Sequence, residues 1–245
     1  MKNWSLFGCL ALIITLASCK KSTETFKTDL LTDYAPMEVG KYITYRLDSF
    51  VFINFGQRDT TISYEVKLQV DAAITDNLGR PAHRILRFIR KDGSQAWAPD
   101  NTFMAVHTGN SFEFIENNMR FLKLRLPIRA GNSWKGNSFI DTYSLNSNVK
   151  FLDDWDYIYD SVNAPLTLGT FNLDSTLKVD QRDEIIGNPS DPNAYSEINY
   201  GAERYAKGIG LVYRRFLHQE YQPPTPGTSG YRVGYGVTLT MIDHN

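Results

Sequence analysis

Cysteine is almost missing from this chain, which has only Cys9 and Cys19 in 245 residues. Cys9 lies inside an apolar leader, so a processed chain would keep one cysteine and could form no internal disulfide. An excess of charge is missing as well. The formal net charge is −1, which excludes the strong basic surplus of nucleic-acid binders. After the leader no stretch approaches the ~18 consecutive apolar residues that a membrane-crossing helix needs. Histidine is scarce and scattered: His83, His107, His218 and His244 have no i, i+4 pair and no neighbouring ligand set, so no metal is predicted. A serine nucleophile would want a G-x-S-x-G elbow, and both Gly131-Asn132-Ser133-Trp134 and Gly227-Thr228-Ser229-Gly230 fall short of it. Gly208-Ile209-Gly210 lacks the third glycine and the following helix of a dinucleotide site, so no cofactor is predicted either.

What is present begins at the first residues. Lys2 is followed by an apolar run over residues 6–16, broken only by Gly8 and Thr15. As a helix that run would reach ~16 Å, about half of the hydrocarbon core, which suits a signal-peptide core and not a span. Leu16-Ala17-Ser18-Cys19 closes it and resembles the lipobox of bacterial lipoproteins. The resemblance implies removal of residues 1–18 and fatty acylation of Cys19, the lipid-attachment site. The alternative is an ordinary signal peptide that happens to contain a cysteine. Each buried acyl methylene contributes ~0.8 kcal/mol, and two or more chains hold a protein firmly on its membrane. Lys20 and Lys21 lack the acidic cluster that resembles a surface-export signal, so the expected address is the periplasm-facing side of the outer membrane.

The remaining 227 residues suit one large β domain. Hydrophobic residues at 42% and charged residues at 22% indicate a real core. Residues 20–32 are polar and without period and read as a tether that could reach ~40 Å. From residue 33 to 245 the chain is aromatic, β-branched and alternating. Residues 61–71 are the clearest case: Ile62, Tyr64, Val66, Leu68 and Val70 fall on one face, with Ser63, Glu65, Lys67, Gln69 and Asp71 on the other. Further strands are predicted at 42–55, 84–91, 103–107, 111–115, 122–126, 139–145, 155–162, 170–180, 210–220 and 232–242. Turn residues separate them, Asp92-Gly93 among them. Residues 188–193 and 222–230, rich in proline and turn formers, read as long connections at the rim. The predicted fold is all-β with minor helix, a strongly curved antiparallel sheet or a partly open β-barrel.

Three stretches resemble motifs of a group of uncharacterised Bacteroidetes-type bacterial lipoproteins. Tyr34-Ala35-Pro36-Met37-Glu38-Val39-Gly40-Lys41-Tyr42, continuing to Tyr45, is similar to their "Y-x-P-x-x-x-G-x-x-W/Y-x-Y" opening. Leu126-Pro127-Ile128 through Gly131-Asn132-Ser133-Trp134 resembles an internal echo of that opening. Tyr205-Ala206-Lys207-Gly208-Ile209-Gly210-Leu211-Val212 resembles their "A-x-G-x-G-L-V" entry to a strand, and Gly234 onward also fits. The resemblance implies a curved antiparallel domain at the cell envelope and brings no catalytic residues. Tyr42 stands where tryptophan is commoner.

Candidate chemistry is sparse. Asp153, Asp154, Asp156 and Asp160 surround Trp155, Tyr157 and Tyr159. Rings that stack on sugars beside carboxylates would suit a glycan site or a glycosidase pair; a strand with solvated aspartates and core aromatics is the plainer reading. Charge is unevenly spread, with ten basic against four acidic residues over 80–135 and three against twelve over 141–203. The two stretches either neutralise each other across the sheet or make the domain a dipole. The leading expectation is a non-enzymatic binding or accessory lipoprotein, held by N-terminal acyl chains and offering an aromatic groove at Trp97, Trp134, Trp155, Tyr157 and Tyr159 to a small ligand, glycan or envelope protein. A scaffold subunit of an outer-membrane complex and a glycoside-active enzyme are the alternatives.

Overall fold

The computed structural model describes residues 29–245. The leader and Cys19 lie outside the described residues. Twelve strands make one antiparallel sheet: β1 (Tyr42–Ile53), β2 (Arg58–Thr75), β3 (Pro81–Arg90), β4 (Ala98–His107), β5 (Ser111–Glu116), β6 (Met119–Arg125), β7 (Ser133–Lys135), β8 (Asp156–Leu168), β9 (Phe171–Gly187), β10 (Ser196–Ala206), β11 (Gly210–Gln222) and β12 (Tyr231–His244). Strands pair with their sequence neighbours, except that β6 and β7 do not pair and β1 pairs with β12. The sheet therefore curls into a nearly closed barrel with one seam, between β6 and β7.

The seam is bridged rather than laddered. Leu122 N–H donates to the Gly136 carbonyl at 2.8 Å. Trp134 Nε1–H donates to the Leu122 carbonyl at 2.7 Å. Tyr159 Oη accepts from the Arg125 N–H and donates to the Arg125 carbonyl, both at 2.9 Å. Side chains thus satisfy edge groups that would otherwise invite another strand.

Period-two alternation explains most of the wall. On β2, Val66, Leu68 and Val70 face the interior while Glu65 and Lys67 face out, where Glu65 pairs with Arg90. Residues 84–91, whose basic spacing also suits a helix face, fall in β3 as far as Arg90. Tight hairpins close the strand pairs, as at Asn117 and Asn118, where both residues take positive φ (51° and 62°) and asparagine tolerates it.

Two segments outside the sheet close the ends. The single helical turn α1 (Leu31–Tyr34) and the chain through Met37 lie where β1 and β11 begin: Gly208 N–H donates to the Asp33 carbonyl and Pro36 packs beside Gly210. Asp29 accepts from Lys207 and Asn163, and Leu31 is buried. Residues 29–32, read from the sequence as tether, are therefore part of the folded body. At the opposite end, the connection between β7 and β8 turns inward. Its 3-10 turn (Lys150–Leu152) stacks Phe151 on His218 with ring centroids 3.7 Å apart, and buries Leu152.

The sequence misplaced one strand and missed two. Residues 139–145 are not a strand: Asp141 accepts from the backbone N–H groups of Tyr143 and Ser144, an Asx turn that outcompetes alternation. Tyr143 and Leu145 stand in solvent. β7 spans three residues, too few for a period. β10 escaped because its inward positions include Asn199, Gly201 and Glu203 in place of an apolar row.

The uneven charges flank the seam. Lys123 pairs with Glu203 across the interior, and Lys135 with Asp154 and Asp156. Most other cations of the basic stretch pair within their own half: Arg80 with Asp76 and Glu113, Arg84 with Asp71, Arg87 with Asp100 and Arg120 with Glu113. Among the described residues, no helix is long and apolar enough to cross a membrane.

Candidate functional site: the barrel interior

Inside the barrel is a cavity of about 340 Å³, at the lower end of the range for small-molecule sites. Tyr45, Leu47, Val66, Leu68 and Leu239 make one wall, and Phe103, Phe112 and Phe121 the facing one. Leu152 and Trp155 close it from the inward loop. Tyr235, 44% exposed, and the exposed Asn117 also line it, so it reaches solvent where β12 begins and the β5–β6 hairpin turns.

One strip of this lining is charged. Lys123 Nζ donates to Glu203 Oε1 at 2.6 Å, and Tyr205 Oη donates to Glu203 Oε2 at 2.7 Å. Arg214 donates to Glu116 at 3.1 Å, and its Nε lies 3.7 Å from Glu203 Oε1. Burial alone would raise the pKa of both glutamates. The cations overcome it: Lys123 and Arg214 hold Glu203 below the usual carboxylate range, and Arg214, Lys123 and Arg87 bring Glu116 down to about 2. Burial, with the nearby Glu203 charge, pushes the Tyr157 and Tyr205 phenols well above their ordinary value. Buried ion networks are weak stabilisers, because desolvation offsets most of the attraction.

Two of the polar groups sit at β-bulges. Phe112 pairs with Leu124 and Glu113 with Leu122, which leaves Lys123 as the extra residue of β6. Gly201 pairs with Arg182 and Ala202 with Asp180, which leaves Gln181 as the extra residue of β9. Lys123 keeps the inward phase of Phe121 and Gln181 that of Leu177 and Val179; in β6 the unpaired residue shifts the phase that follows, so that Leu124 is buried as well. Gln181 is 3% exposed and its Nε2 has no protein partner; the buried Arg214 Nε has no hydrogen-bond partner either. Gly201 makes room for this corner. A Cβ there would stand 2.7 Å from the Trp155 ring and 2.9 Å from Gln181 Oε1.

Of the five aromatics singled out from the sequence, Trp155 and Tyr157 line the cavity. Trp134 and Tyr159 are buried behind them at the seam, with ring centroids 4.7 Å apart. Trp97 does not join the group: it lies on the outer wall beneath the Arg90 guanidinium, 4.2 Å away, and near Lys67, because the side chains around it belong to outward positions of β2 and β3. In the aspartate-rich stretch the rings point in, while Asp154, Asp156 and Asp160 point out to Lys135 and Lys178. Rings and carboxylates therefore do not share a face. Lys123, Gln181, Glu203 and Arg214 were not anticipated; the signal for two of them was a charge at an inward phase of an apolar strand, Arg214 between Val212 and Phe216 and Glu203 beside Tyr205. His83 and His107 lie near each other with one unpartnered nitrogen each; among the described residues no three metal-ligating side chains cluster.

No protein-family profile matches the chain, and no curated protein matches it. Among solved structures, it is similar to a Bacteroides fragilis protein described as exported and of YmcC-like fold, at 11% identity, 86% coverage of this chain, 99% of that one and a TM-score of 0.40. A DUF1329 family protein from Desulfovibrio piger is also similar, at 10% identity, with 85% of this chain and 87% of that one covered and a TM-score of 0.17.

Proposed function

We propose that this protein is a non-enzymatic, membrane-anchored envelope lipoprotein whose barrel holds one small, largely apolar ligand. The observation that carries the reading is the cavity itself: about 340 Å³, apolar over most of its wall, with a few converging polar groups and an opening beside Tyr235. The interior carboxylates favour binding over glycoside chemistry. A glycosidase acid needs a raised pKa, whereas Glu116 and Glu203 are both held ionised by cations. Anchoring rests on Cys19 and the lipobox, and the periplasm-facing outer membrane is the proposed address. The resemblance to Bacteroidetes-type lipoproteins supports the same setting.

The test is co-purification. The full chain is isolated from its native membrane, extracted with organic solvent, and the extract identified by mass spectrometry. A single recurrent species that is lost on Val66→Trp, which fills the cavity, and kept on Trp97→Ala supports the reading. Equal recovery from both variants overturns it. Radiolabelled palmitate should enter the parent chain and not Cys19→Ser.

A further inference from the structure

The charges inside the barrel are already matched. Lys123 and Arg214 face Glu203 and Glu116, and Arg87, which also lines the cavity, is held by Asp100. An anion entering this strip would have to take a cation from a glutamate and leave that carboxylate buried without its partner, the costly way to break an internal pair. What the strip leaves open is donors. Gln181 Nε2 and Arg214 Nε are buried in the lining and give their hydrogens to nothing in the protein. Neither nitrogen can accept a hydrogen bond, so whatever completes them must bring acceptor oxygen. Around them the wall is hydrocarbon, from Leu47, Val66 and Leu68 to Phe112 and Phe121.

We propose that the ligand is a neutral acyl ester or amide, its chain among the apolar side chains and its carbonyl oxygen accepting from Gln181 Nε2. This rests on the cavity reading and narrows it. A carbonyl oxygen accepts a hydrogen bond and carries no charge to upset the ion pairs. Gln181 continues the inward row of Leu177 and Val179 to the cavity, and Gly201 leaves the space in which Gln181 and Trp155 sit side by side.

The experiment uses the full chain in amphipol and three brominated probes: bromoundecanoyl glycerol, the matching free acid and the matching bromoalkane. Bromine quenches a nearby indole, and Trp155 reports from the cavity wall. The expected result is saturable quenching by the ester, with the acid and the alkane each about ten-fold weaker, roughly the worth of one buried hydrogen bond. Gln181→Leu should weaken the ester about ten-fold and leave the alkane unchanged. Near-ultraviolet circular dichroism verifies that this variant folds, and the comparison among probes on the parent chain stands without it. Equal binding of ester and alkane means that water fills the donors and overturns this proposal alone. Tighter binding of the acid overturns it too, in favour of an anion. Failure of all three probes to quench overturns the cavity reading together with it.

Discussion

Lys123 and Glu203, eighty residues apart in sequence, meet inside the barrel at 2.6 Å with almost no contact with water. They join the wall beside one edge of the seam to the wall beyond the other, so the pair works as an internal strut.

Removing one end of that strut should be worse than removing both. Lys123→Met leaves Glu203 with the Tyr205 hydroxyl and, as its remaining cation, Arg214 at 3.7 Å, and a loss of about 3 kcal/mol is expected for a buried charge deprived of its nearest partner. Lys123→Met combined with Glu203→Gln should recover more than half of it. Urea denaturation of the two single variants and the double variant measures the coupling; strictly additive losses would mean that the pair is not a unit.

The seam should depend on one hydroxyl. Tyr159→Phe removes the group that both accepts from and donates to the Arg125 backbone, and about 2 kcal/mol should go with it. Hydrogen exchange ought to quicken at Arg125 and Leu126 while β1 and β12 keep their protection. Uniform acceleration over the whole sheet would show that the seam is not a separate opening unit.

Gly201 should resist even a methyl group. Gly201→Ala presses on Trp155 and Gln181, an overpacking cost of about 2 kcal/mol. Adding Trp155→Phe should restore most of the thermal midpoint. A single Gly201→Ala variant as stable as the parent would show that the corner yields freely.

Acid should loosen the end of the barrel that α1 closes before the rest. Burial, helped by the neighbouring His83, depresses the His107 pKa from its ordinary 6.5 to about 4, against an opposing contact with the Ala35 backbone. The unfolded chain therefore takes up this proton first. The stabilisation is complete above about 6.5 and drains away as pH falls towards 4. Asp76, held down to about 2 by Arg80 and backbone N–H groups, adds a loss that starts only below the ordinary carboxylate value of 3.8. The denaturation midpoint should fall between pH 6.5 and 4.5 for the parent and less steeply for His107→Gln. Parallel curves for the two would assign the slope to other groups, His218 first, whose pKa burial also lowers.

The barrel wall was legible in the sequence where one face is wet, as in β2, because water imposes the alternation that a reader detects. It was illegible where polar side chains face inward, as in β10, and where a side chain captures the backbone, as Asp141 does. The inward aromatics Trp155 and Tyr157 stood out by size. Lys123 did not, because both phases of β6 carry apolar side chains, Phe121 in one and Leu122 and Leu124 in the other, and Gln181 did not, because it is a polar residue continuing the inward row of Leu177 and Val179. Only when the strands register does one unpaired residue let Lys123, in phase with Phe121, and Leu124 both face inward.

The pairing of β1 with β12 has a further consequence for the chain's early life. Ribosomes deliver Tyr42–Ile53 long before Tyr231–His244, so the opening strand must wait with a bare flank until its last neighbour arrives. Contacts this distant are slow to find, and a waiting flank is sticky. An unfinished copy should thus be a client for holding chaperones until the final hairpin is delivered.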